Sequence, residues 1–529
     1  MVGTVAEASV EVSTELLNLD QIVAVARGGR RVRLSADPAF RDRIERGAAA
    51  MRGALERGEV IYGVNTGFGA NVRLIIPENE WRHHQENLVE VLTCGVGDPL
   101  PQEVVRAAML LRANALARGY SGVRWVVIER LVELLNHGIT PVVPRYGSVG
   151  ASGDLCPSAY IARVLLGRGE VHYRGKRTAA AGALEAEGIE PIRLEPKEGL
   201  ALLNGTTTMT GMAALVVWDA EYMLRAGLAA VAMAVEALGT SPDYFHPLIH
   251  MVKHHPGQLR AAEMLQSMLM DSRMAAPLDQ IRRRVAEEAA HSSGVVASKE
   301  AIQSPYSLRC APQGLGPMFE TLEQARTTVE REANSVNDNP LIDPDQGAVY
   351  HTGNFYGGHI ARAMDGLKLD LANLANWMHS LMALVMDERF SNGLPASLSP
   401  RPGVYQGFKA MQIVHTSLVT ALRQMSGASL VHTLPTEQFN QDVVSLGTNA
   451  ALTTLEMLRL ERDAMSITLL ALAQAMDLRG DVEGAGAGTR RMYRAVREAS
   501  RFVEADRGLE EDIGRVSGML ERHEAPVLR

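Results

Sequence analysis

Ala151, Ser152 and Gly153 lie in the run Gly147-Ser148-Val149-Gly150-Ala151-Ser152-Gly153-Asp154, and they can do chemistry that no side chain offers. Gly153 lacks a Cβ, so its amide nitrogen can approach the Ala151 carbonyl two residues upstream. Bond formation between that nitrogen and that carbon, with the Ala151 oxygen lost as water, closes the backbone into an imidazolone. Loss of the Ser152 hydroxyl as a second water leaves an exocyclic methylidene conjugated to the ring carbonyl. The peptide then carries its own electron-poor carbon. The same small residues also suit an ordinary turn, or a nest of amides that binds an anion ahead of a helix. Taken alone, the tripeptide leaves all three readings open.

The flanks extend the pattern to Tyr146 on one side and Leu155 on the other, and further segments recur in order. They are Tyr62-Gly63-Val64-Asn65-Thr66-Gly67-Phe68-Gly69, the frame Gln85, Asn87, Leu88, Gly95, Gly97, and Leu202-Leu203-Asn204-Gly205-Thr206. Later come Tyr306-Ser307-Leu308-Arg309, Asn337-Asp338-Asn339-Pro340, Thr352-Gly353-Asn354-Phe355 and Glu437-Gln438-Phe439-Asn440-Gln441. Together they resemble the histidine and aromatic amino-acid ammonia-lyase and aminomutase family over roughly residues 62–479, with a particular likeness to bacterial phenylalanine ammonia-lyases.

That resemblance implies a methylidene-imidazolone formed from Ala151-Ser152-Gly153, with no metal and no diffusible cofactor. It makes Tyr62 the general base, and Asn204 the amide that helps hold the prosthetic group and substrate. It makes Arg309 the carboxylate clamp, with Gln303 beside it and Tyr306 on a loop that closes over the site. A guanidinium suits such a clamp because its planar fork grips a carboxylate at two points. A phenol titrates near pH ~10, so Tyr62 needs help to act as a base. Helix N-termini aimed at it would favour the phenolate by roughly 0.3–1 kcal/mol each.

Val91-Leu92 falls where the family carries the pair that meets the substrate side chain. An apolar pair would leave a phenol or imidazole unpaired at a cost of about 1–3 kcal/mol, so phenylalanine is favoured. Val in place of the usual Phe should widen the pocket. Asn354 maps to a carboxylate-side contact and Phe355 to a pocket wall; Glu437 can receive the amino group, Lys409 would offset its charge, and Asn440 and Gln441 complete that region. The sequence departs from the family at Ser158, Ser304 and Gly358, where Leu, Asp and Gln are usual. His83-His84 is no metal pair, because adjacent helical residues do not face one another.

Long apolar-periodic segments must hold these residues in place: about 210–238, 316–336, 358–390, 407–426 and 448–476. Their length and their Ala, Leu and Met content read as a bundle of long helices. The expected fold is mainly α, with a loop-rich N-terminal part at 1–207 carrying the tyrosine and prosthetic-group loops, and the bundle with C-terminal helices at 208–529. A strand-like start is expected near Val60.

With 529 residues the chain can bury a large core, and 46% hydrophobic against 22% charged residues argues against disorder. The net charge of −8, with dispersed basic residues, gives no nucleic-acid or membrane signal. Three cysteines without CxxC spacing argue against a disulfide framework or zinc site. Residues 1–17 lack the pattern of a signal peptide, and the expected location is the cytoplasm.

The resulting reading is an ammonia-lyase that takes L-phenylalanine to trans-cinnamate as a homotetramer with sites shared between subunits. Tyrosine or histidine ammonia-lyase, an aromatic 2,3-aminomutase, and a non-catalytic helical scaffold are the alternatives.

Overall fold

The computed structural model describes residues 9–290 and 293–528, so residues 1–8 of the stretch read above as lacking a signal peptide lie outside the description. The fold is mainly helical, and the few strands are short. Two compact units are distinguishable: one comprises residues up to Trp218, Ala325–Asp365 and Ala428–Leu455; the other comprises Asp219–Gln324, Gly366–Gly427 and Glu456–Arg529.

The first unit opens with a parallel strand pair, Val10–Val12 with Val32–Leu34, connected through the helix Leu19–Ala26. That helix starts where Asn18 and Gln21 cap each other reciprocally, and Pro38–Glu56 starts on Asp37 with proline in its first turn. Gln102–Leu116 is buried almost all round, which suits its apolar sequence. Within it Asn114 and Arg112 are buried polar residues, the latter carrying a guanidinium only 2% exposed.

Strand Val96–Pro99 pairs antiparallel with Pro144–Tyr146, and Val96 faces Tyr146. The helix Trp81–Val91 precedes the first strand and the 147–154 loop follows the second. Antiparallel pairing therefore delivers both to the same end of the ladder.

The expected strand near Val60 is absent. Residues 62–65 form a turn instead, because side chains take the amides a ladder would need. Asn65 Oδ1 accepts the Ile61 amide at 2.7 Å, and Thr66 Oγ1 accepts the Gly63 amide at 3.0 Å.

The second unit is helical and its core is aliphatic and methionine-rich: Leu224, Leu228, Leu374, Met378, Leu469 and Met476 are fully buried. The long helices expected from the sequence are present as Thr207–Ala237, Ala311–Ala333, Gly358–Met386, Lys409–Met425 and Gly447–Arg479. Inside this unit His379 and His415 stack with centroids 5.2 Å apart, and His415 shares a hydrogen bond with Thr468 at 3.0 Å. Among the described residues, no helix is long and apolar enough to cross a membrane.

Candidate active site

Gly153 has φ +68°, and a Cβ there would lie 2.1 Å from the Gly205 oxygen. Gly205 itself sits at φ +140°, a conformation other residues rarely adopt. This close pass is a short parallel bridge between the two glycines. In it the Asp154 amide donates to the Gly205 oxygen at 2.7 Å and the Gly205 amide to the Ser152 oxygen at 3.3 Å.

A second donor reaches the Ser152 oxygen, Asn204 Nδ2 at 3.0 Å. Asn204 ends the helix Glu198–Leu203, its backbone N–H closing the last turn on the Leu200 oxygen while its side-chain amide serves the loop. Ser152 Oγ accepts from Gln441 Nε2 at 3.2 Å. Behind the loop, the buried Asp154 carboxylate accepts the Thr448 hydroxyl at 2.5 Å and the Met209 amide at 2.8 Å. Burial pushes its pKa up, against those hydrogen bonds. The Ser445 hydroxyl donates to the Gly150 oxygen at 2.7 Å.

The arrangement fits an Ala-Ser-Gly imidazolone. Position 153 tolerates only glycine, and two donors already meet the oxygen that persists as the ring carbonyl. Asn204, Gly205 and Gln441 are the residues that would hold such a group.

Tyr62 shares the space in front of the loop. Its hydroxyl accepts the Gly69 amide at 2.8 Å, and its own amide donates to His351 Nε2 at 3.1 Å. Burial pushes the phenol's pKa up and the Glu437 carboxylate adds to the rise, while the Gly69 N–H opposes them. The influence needed to lower it is not supplied by these neighbours.

Two adjoining cavities, about 720 Å³ and about 590 Å³, are lined in common by Tyr62, Ala151, Ser152, Asn204 and Gln441. Val91, Leu92, Gly153 and Glu437 line the larger, and Phe355 and Asn440 the smaller. Glu437 is presented by a left-handed turn in which Glu437, Gln438 and Phe439 have φ of 51°, 54° and 63°. Such strain costs roughly 1–2 kcal/mol per residue and persists where surrounding contacts demand it.

Asn354 lines neither cavity; its amide donates to the Val336 oxygen at 3.1 Å. Gln303, Tyr306, Arg309 and Lys409 belong to the second unit. There the Arg309 guanidinium lies 4.5 Å from the Tyr306 ring centroid and Nε donates to the Ser304 oxygen at 3.0 Å. Lys409 Nζ donates to Gln406 at 2.8 Å, and Gln303 is exposed.

The sequence motifs assign no role to Arg112, His351, Gly205 or the buried pair Lys197–Asp338, whose charged atoms are 2.6 Å apart. Arg112 did leave a signal, a cation directly after the apolar run Ala107–Leu111 of its helix. His84 also lines the larger cavity: it stacks on Phe68 at 4.1 Å and bonds the Thr66 oxygen through Nε2 at 3.1 Å.

A model of the aromatic amino acid lyase family matches residues 17–498. A hal-like protein of Dictyostelium discoideum is 44% identical over 88% of this chain and 86% of its own length. A histidine ammonia-lyase of Geobacillus sp. is 39% identical over 89% of this chain and 88% of its own length. Among solved structures, the phenylalanine aminomutase of Pantoea agglomerans superposes with a TM-score of 0.93 at 34% identity, covering 96% of this chain and 98% of that one.

Proposed function

Because this chain belongs to the aromatic amino acid lyase family, we propose that it is an ammonia-lyase converting L-phenylalanine to trans-cinnamate. Its electrophile is the methylidene-imidazolone built from Ala151, Ser152 and Gly153, which supplies an electron-poor carbon for activating the substrate amine as a leaving group.

The observation that carries the phenylalanine reading is that Val91 and Leu92 line the cavity that also holds Ser152 and Tyr62. An unsubstituted ring needs no polar partner there, whereas Val91 and Leu92 offer none to a phenol or imidazole. Tyr62 takes the β-proton, and its path to the phenolate runs against the Glu437 charge. Glu437 orients the substrate's ammonium, which explains a carboxylate kept on the cavity wall by a strained turn. Asn204 Nδ2 and the Gly205 amide stabilise negative charge that develops on the Ser152 oxygen. Arg309 holds the carboxylate in a homotetramer whose sites combine loops of several subunits.

His84 on the same wall favours a second reading, a ring with a polar substituent or nitrogen. This agrees with the histidine ammonia-lyase named among the relatives. The test is an ultraviolet assay for cinnamate, coumarate and urocanate with phenylalanine, tyrosine and histidine side by side, with β-amino acids quantified in parallel. Cinnamate as the main product supports the proposal. Urocanate or coumarate in excess, or a β-amino acid without cinnamate, contradicts it.

A further inference from the structure

Arg112 is 2% exposed, yet all three of its hydrogen bonds go to one short stretch. Nη1 donates to the Ala201 oxygen at 3.3 Å and to the Asn204 oxygen at 3.0 Å, and Nη2 donates to Thr207 Oγ1 at 3.2 Å. The Asn204 oxygen and the Gly205 N–H belong to the same peptide group. That group therefore receives the guanidinium at one end and, at the other, donates to the Ser152 oxygen at 3.3 Å. Hydrogen bonds arranged head to tail polarise one another, most where water is excluded. The second donor to Ser152, the Asn204 side chain, hangs from the residue whose carbonyl Arg112 fixes.

We propose that Arg112 is a positioning residue that couples a buried positive charge, through the Asn204–Gly205 peptide, to the Ser152 carbonyl oxygen. Charge building on that oxygen, both as the loop loses water and during turnover, is met by a donor pre-polarised and held in register from behind. The neighbouring acids fit this role, since Asp154 and Asp338 lie close enough to act on the guanidinium while Lys197 neutralises Asp338 at 2.6 Å. With Asp338 paired to Lys197, Asp154 is the acid left to balance the guanidinium that is bonded to the Asn204 oxygen.

The inference rests on the ammonia-lyase reading, and intact mass separates the two because dehydration is read without any substrate. Wild-type protein lacking the loss of two waters, about 36 Da, would sink the reading itself. With that loss in place, Arg112→Met is expected to dehydrate more slowly and to lower kcat per dehydrated site by about 100-fold, the size of losing one carbonyl-binding donor, with KM moved less than about threefold. Arg112→Lys, which keeps the charge but not the fork, is expected to recover about tenfold of that kcat and to stay about tenfold below wild type. Full dehydration with kcat within about threefold of wild type in Arg112→Met overturns the proposal. Should Arg112→Met fail to fold, Arg112→Lys decides: a kcat fall of about tenfold at constant KM supports the coupling and an unchanged kcat refutes it.

Discussion

Glu437 lies so close over Gly69 that a Cβ there would sit 1.5 Å from the carboxylate oxygen, and the amide of this same glycine binds the Tyr62 hydroxyl at 2.8 Å. One backbone position thus sets the distance between the candidate base and the acid that opposes its ionisation.

Gly69→Ala should accordingly disable the site. The position has φ +55°, and the added methyl would push Glu437 away or distort the amide that anchors Tyr62. A fall in kcat/KM of about 100-fold or more is expected, because misplacing a reacting group by about 1 Å costs that much. Activity within threefold of wild type would show that the Tyr62–Gly69 bond is dispensable.

Glu437→Gln tests the electrostatics separately from the magnitude of activity. The carboxylate raises the Tyr62 pKa, so removing its charge should lower it. The base then becomes available at lower pH, and the rising limb of kcat/KM against pH should shift to the acid side. An unmoved or alkaline-shifted limb contradicts the assignment of Tyr62 as the titrating base.

Val91→His tests ring recognition. An imidazole on this cavity wall offers a partner to a phenol, so tyrosine should gain relative to phenylalanine by about tenfold or more in kcat/KM ratio. An unchanged ratio would mean that residue 91 does not face the substrate ring.

The contrast between legible and illegible parts has a physical basis. Long helices were readable because apolar periodicity over many turns is a sequence-local property, as in Thr207–Ala237 and Gly447–Arg479. The loop glycines were readable because few backbones tolerate what Gly153 must do. Arg112 was not placed, because its meaning depends on a carbonyl 92 positions away that no local pattern reveals. Val60 misled because its apolar neighbours suggested a strand, while Asn65 and Thr66 claim the amides. The left-handed turn at residues 437–439 carries no glycine and so left no trace in the sequence.

Acid stability should depend on His415. Burial first, and the nearby His379 second, hold its pKa down to about 3 from the ordinary 6.5. The unfolded chain takes up a proton near pH 6.5 that the folded state refuses until about pH 3, so the stabilisation is complete above that window and is lost as pH falls through it. Urea midpoints at about pH 7.5 and pH 5 should therefore lie closer together in His415→Gln than in wild type. An equal acid-induced drop in both proteins would assign the loss to other groups.

The most direct measurement is the intact mass of purified protein that releases ammonia from L-phenylalanine, beside that of Ser152→Ala. The wild-type chain should be lighter than its sequence by two waters, about 36 Da, and Ser152→Ala should be folded, short of at most one water and inactive. A full, undiminished mass in protein that turns over the amino acid, or sustained turnover by Ser152→Ala, would contradict the account.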